Sequence, residues 1–155
     1  MIAFTLNGRA VSVTADPAAR LLDVLRDECG DLSVKEGCGE GECGACLVLR
    51  NGEPVNSCIL PVGLADGAEI MTMAGLKDTP RGRALVEAFA REGAVQCGFC
   101  IPGMVMAGEA LLRRTPQPGE EEIRFGISGN LCRCTGYDLI LRAVDAAARE
   151  GKGLW

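Results

Sequence analysis

Apolar residues fall at alternate positions through "IAFTL" (2–6) and again through "AVSVT" (10–14), on either side of Asn7-Gly8. Period-two alternation around an Asn-Gly pair predicts a β-hairpin. The pattern then changes period. Asp16-Pro17 predicts a helix start, since Asp can cap free N–H groups and Pro suits the first helical position. Leu21, Leu22 and Leu25 form its apolar face, and Gly30 supplies a left-handed end. A cysteine- and glycine-dense loop follows. "CLVLR" and "PVNSC" around Asn51-Gly52 predict a second hairpin, and "EIMTM" after Asp66-Gly67 predicts a closing strand. From Thr79-Pro80 onward the period is helical. Four helices are expected: one with Leu85 and Phe89 buried and ending near Gly93, "PGMVMAGEALLRR", "PGEEEIRFGIS", and "YDLILRAVDAAARE" stopped at Gly151.

This order predicts an α+β chain: a small sheet crossed by one helix over residues 1–76, then a helical unit over residues 77–155 that can close as a bundle. Only 4% of residues are aromatic, so Ala, Val, Leu, Ile and Met must fill the core. The net charge of −5 is uneven: residues 1–78 carry 6 basic and 12 acidic side chains, residues 79–155 carry 10 and 9. No basic stripe points to nucleic acid. The start "MIAFTLNGRAVSVTA" has neither a positive leader nor a long apolar core, and no run of about 18 apolar residues occurs, so a cytoplasmic location without membrane insertion is expected. In a reducing compartment, nine cysteines point to metal or redox chemistry rather than disulfides.

Eight of the nine cysteines fall into two sets. Cys38, Cys43, Cys46 and Cys58 follow C-x4-C-x2-C…C, the plant-type ligand spacing for a [2Fe–2S] cluster. Gly37, Gly39, Gly41 and Gly44 let backbone N–H groups approach an anionic cluster that side chains would hold away. Cys97, Cys100, Cys132 and Cys134 form a C-x2-C and a distant C-x-C, each just ahead of a predicted helix whose N-terminus favours an anion. Zinc on four thiolates is the rival at both sets, and the second spacing alone does not separate the two metals. Cys29 is left over and reads as a small buried residue at a helix end. Tyr137 is expected to pack at a helix start. Arg133, between two ligands, could raise the nearby potential or serve as a surface residue; Lys35 and Glu36 could flank a partner surface.

Taken together, "KEGCGEGECGAC", "AVQCGFCIPGMVM" and "GNLCRCTGY" resemble the two-cluster iron–sulfur subunit of the xanthine oxidase family of molybdenum hydroxylases, over nearly the whole chain. The resemblance implies a ferredoxin-like β-grasp domain with one [2Fe–2S] cluster on Cys38, Cys43, Cys46 and Cys58. It implies a four-helix domain with the second on Cys97, Cys100, Cys132 and Cys134. Gln96 and Cys134 would approach the molybdopterin cofactor of a large partner subunit, and FAD would sit in a medium one. The chain would then be the non-catalytic electron-transfer part of a multisubunit oxidoreductase, acting on purines or other N-heterocycles, aldehydes or carbon monoxide, and touching no substrate itself. The alternatives are a free-standing two-cluster ferredoxin and a zinc-stabilised interaction protein.

Overall fold

Both hairpins form where Asn-Gly pairs predict them. The computed structural model describes residues 1–155. Strands β1 (Ile2–Leu6) and β2 (Arg9–Val13) pair antiparallel about Asn7 and Gly8, at φ 51° and 80°; β3 (Leu47–Arg50) and β4 (Glu53–Asn56) pair likewise about Asn51 and Gly52, at 50° and 84°. Strand β5 (Glu69–Met71) inserts between the hairpins, parallel to β1 and antiparallel to β3, giving the order β2-β1-β5-β3-β4. Alternation decides which face each residue serves. Ile2, Phe4, Leu6, Val48 and Ile70 bury against Leu21, Leu22 and Leu25 of the crossing helix. Leu49 points the other way and belongs to the helical core, with Leu47 and Met71 packed beside it. One strand, β3, thus joins both cores.

Two expectations need correction. The segment at Asp16-Pro17 is a turn, not a helix start: Asp16 Oδ1 accepts from Ala18 N at 2.9 Å. The backbone of residues 17–21 is engaged elsewhere, with Pro17 O and Ala19 O accepting from Gly63 N and Val62 N and Leu21 N donating to Leu60 O. Helix α1 therefore begins only at Leu21 (Leu21–Asp23) and widens at once into a π-helical turn, Val24–Glu28. The closing strand is also shorter than "EIMTM", because Thr72 leaves the sheet and caps a short helix, α2 (Met73–Leu76). Thr72 N donates to Asn7 Oδ1 (2.8 Å), and its hydroxyl donates to Asp31 Oδ2 (2.6 Å) while accepting from Asn7 Nδ2 (2.9 Å). This buried network pins the connection between sheet and helices to the first hairpin turn.

The helical half follows its start and stop signals. Thr79 Oγ1 accepts from Gly82 N at 3.0 Å to cap α3 (Pro80–Arg91). Helices α4 (Ile101–Arg114), α5 (Glu120–Gly126) and α6 (Asp138–Glu150) follow. Helix α3 packs on α4 and α6, α5 on both of those, and α4 on β3. Leu85, Phe89, Met104, Met106, Ile140 and Val144 fill the centre. No helix is long and apolar enough to cross a membrane.

Inside this core α4 carries a fully buried carboxylate, Glu109. Arg81 Nε lies 2.9 Å from Oε1 but off its N–H direction, so the pair is ionic and not a directed hydrogen bond. The other oxygen, Oε2, accepts from Trp155 Nε1 at 2.7 Å. Trp155→Phe keeps an aromatic side chain but replaces the indole with a smaller phenyl and removes that donor. It should cost about 1–3 kcal/mol, the penalty for a buried acceptor left unmatched. The thermal midpoint of the iron-loaded chain, followed by circular dichroism, should fall by several degrees; an unchanged midpoint would show that Arg81 alone satisfies Glu109.

Candidate metal centres

The first cysteine set is arranged by a loop whose backbone turns inward. Cys38 Sγ accepts N–H groups from Glu40 (3.4 Å), Glu42 (3.3 Å) and Cys43 (3.4 Å), while Cys38 N donates to Cys43 Sγ (3.3 Å). Those donors, from Glu40, Cys43 and Glu42, hold the Cys38 thiol down at about 6, which favours the thiolate a metal needs. Gly37 permits the approach: a Cβ there would lie 2.6 Å from Cys43 Sγ. Cys46 and Cys58 form the buried side of the set. Ser57 Oγ donates to Cys46 O (2.8 Å), and Asn56 Nδ2 donates to Gly41 O (2.8 Å), tying β4 to the loop. Burial first, then contact with Cys46, pushes the Cys58 thiol up to about 12.

The second set is carried by two loops that end at helix starts. Cys100 immediately precedes α4, and Cys132 and Cys134 lie ahead of α6. Cys134 Sγ and Cys97 Sγ are 3.6 Å apart. Two sulfurs on one tetrahedral ion, at metal–sulfur bonds of about 2.3 Å, stand at nearly that separation. Burial, followed by contact with Cys132, raises the Cys100 thiol to about 12. At Cys132 burial acts upward too, but the hydroxyl and backbone of Thr135 and the backbone of Cys134 outweigh it and bring the thiol to about 7. The Thr135 hydroxyl donates to Cys132 Sγ at 3.1 Å and accepts from Tyr137 N at 3.2 Å. Tyr137, at φ 71°, caps α6 in the left-handed region, and its phenol oxygen accepts from Cys132 N at 2.9 Å. Its role is thus more specific than the packing expected of it.

The geometry brings together the residues of each set. Within each, thiols meet in pairs: Cys38 with Cys43 and Cys46 with Cys58, then Cys97 with Cys134 and Cys100 with Cys132. Paired thiols suit a group with two metals, each bound by two sulfurs, and the inward N–H groups suit its negative charge. Cys29 stays apart: it ends the π-helical turn half-buried, and burial with Glu28 and Asp31 raises its thiol. Gln96 and Arg133 are exposed. Lys35 Nζ donates to Leu32 O, and Glu36 pairs with Arg20, so both are engaged locally.

Sequence reasoning missed the seam between the two sets. Leu131 N donates to Cys43 O at 2.9 Å, and buried Asn130 donates from Nδ2 to Gly44 O at 3.0 Å. From the other side, Gly103 in the first turn of α4 comes so close that a Cβ would lie 2.2 Å from Gly44 O. In "GISGNLC" the only signal was a Gly-Asn pair, which reads as a turn.

The family model described as a 2Fe-2S iron-sulfur cluster binding domain matches residues 4–69, and that of a [2Fe-2S] binding domain matches residues 72–145. The nicotinate dehydrogenase small FeS subunit of Eubacterium barkeri is 50% identical, over 96% of this chain and 95% of that one. The xanthine dehydrogenase iron-sulfur-binding subunit of Escherichia coli O157:H7 is 45% identical, over 90% and 89%. Among solved structures, quinoline 2-oxidoreductase from Pseudomonas putida 86 superposes with a TM-score of 0.90 at 39% identity, covering 96% of this chain and 93% of the matched one.

Thr135→Val preserves shape and removes the hydroxyl donor to Cys132 Sγ. A bond donated to sulfur stabilises the more negative, reduced state, so its loss should lower the potential of one cluster by roughly tens of millivolts. A redox titration followed by electron paramagnetic resonance should show one signal shifted and the other unmoved. Equal shifts in both, or none, would contradict a local role for Thr135.

Proposed function

This chain belongs to the family of two-cluster [2Fe–2S] iron–sulfur subunits of molybdenum hydroxylases, and on that premise we propose how its residues divide the work of electron transfer. Cys38, Cys43, Cys46 and Cys58 hold one cluster; Cys97, Cys100, Cys132 and Cys134 hold the other. Each group, when bound, takes up and releases one electron at a time. The chain itself supplies thiolates, N–H donors, burial and a fixed spacing, and it takes no part in bond-making on substrate.

The observation that carries this reading is the pairing of thiols at two sites joined by one seam. Exposure supports the orientation. Cys97 and Cys134 are exposed, and Val95, Phe99 and Leu131 leave apolar surface around them. A large molybdenum-containing subunit seated there would remove that surface from water and bring its pterin toward Gln96 and Cys134. Electrons then enter at the second set, cross the seam to the first, and leave toward FAD in a medium subunit or toward an external acceptor. The nicotinate, xanthine and quinoline enzymes among the relatives favour an N-heteroaromatic substrate for the complex. The location proposed is the cytoplasm.

The test is gentle, anaerobic purification of the tagged chain from its native host. About four irons per chain and about one molybdenum, with a large subunit retained, is the expected result. Iron at that level without molybdenum or a partner after mild cross-linking would favour a free-standing ferredoxin. Zinc in place of iron would overturn the electron-transfer reading.

A further inference from the structure

We propose that Asn130 is a positioning residue for electron passage between the two cysteine sets, acting through Gly44 on the cluster-bearing loop of the first domain; this rests on the electron-transfer reading above. Three contacts meet at one point. Asn130 is 5% exposed, and its side chain donates to Gly44 O at 3.0 Å. Its neighbour Leu131 donates from its backbone N to Cys43 O at 2.9 Å. Gly103 closes on the same Gly44 carbonyl from α4. Gly44 itself, at φ 71°, fits only without a side chain, since a Cβ would lie 2.5 Å from both Asn130 Nδ2 and Gly129 O.

The consequence is a short route. Cys43 belongs to the first set, and Leu131 is bonded directly to Cys132 of the second. One hydrogen bond therefore links the backbone of a cysteine in one set to the residue next to a cysteine in the other. The step it serves moves one electron: the group at the second site loses it and the group at the first gains it, with no covalent bond made or broken. Asn130 ligates nothing. It fixes Gly44, keeps the Leu131–Cys43 bond closed and shields it from water, and so sets both the distance and the route.

Asn130→Asp tests this with little change of volume, because an ionised carboxylate cannot donate and sets an oxygen against the Gly44 carbonyl. Asn130→Ala serves as the second variant. Two readouts are needed on the iron-loaded chain. In dithionite-reduced protein, the magnetic interaction between the two cluster spins should weaken in both variants, while the iron content and the individual cluster spectra stay as in the wild type. Hydrogen exchange should accelerate about tenfold at the Leu131 amide, the loss expected for one buried bond. Unchanged coupling and unchanged protection in Asn130→Asp would overturn the proposal, leaving a packing role only. Loss of iron from either site in both variants would also overturn it, making Asn130 a support for cluster binding instead. If wild-type protein shows no second spin, the electron-transfer reading fails, not this one alone.

Discussion

Thiolates brought close together repel, and the fold is organised around that cost. Burial, and then contact with a neighbouring cysteine, raises the thiols of Cys58 and Cys100, and contact with Cys97 raises that of Cys134. Such groups ionise together only with positive charge between them, so the sites are suited to a metal group and costly without one. The rest of the structure answers this constraint. Backbone N–H groups turn toward Cys38, glycine stands where a side chain would block the approach, and the hydroxyl of Thr135 reaches Cys132. The sheet and the helical unit are scaffolds that deliver these donors at fixed places.

The two scaffolds are not independent. Strand β3 is covered on both faces, with Val48 in the sheet core and Leu49 in the helical core. The Asn7–Thr72–Asp31 network ties the connecting segment to the first hairpin turn. The seam at Gly44, Gly103 and Asn130 fixes the two cysteine loops against each other. An electron carrier with two centres needs this rigidity, because distance between centres is the quantity the protein controls.

Much of this was legible in the chain. Hairpins at Asn7-Gly8 and Asn51-Gly52, the capped start at Thr79-Pro80 and the four helices are dictated by local backbone chemistry, which sequence records directly. Cysteine spacing pointed to the two groupings of thiols for the same reason: residue type and loop length are local facts. What stayed hidden depends on partners distant in sequence. Asp16-Pro17 carries a helix-start signal, yet residues 60–63 take up the neighbouring backbone groups and the helix is postponed to Leu21. Asn130 reads as a turn residue because Gly44 lies 86 positions away. Tyr137 reads as packing because nothing local shows that its hydroxyl meets Cys132 N. Glu109 carries no local signal of burial, because Arg81 and Trp155, which enclose it, lie 28 and 46 positions away.

The central claim is that the chain holds two separate four-cysteine centres. The most direct test is electron paramagnetic resonance of the dithionite-reduced Cys43→Ser variant beside the wild type. The account predicts two distinct [2Fe–2S] signals in the wild type. It predicts loss or alteration of only one in the variant, with the second signal unchanged in shape and intensity. Loss of both signals from a folded variant, or retention of both unaltered, would contradict it.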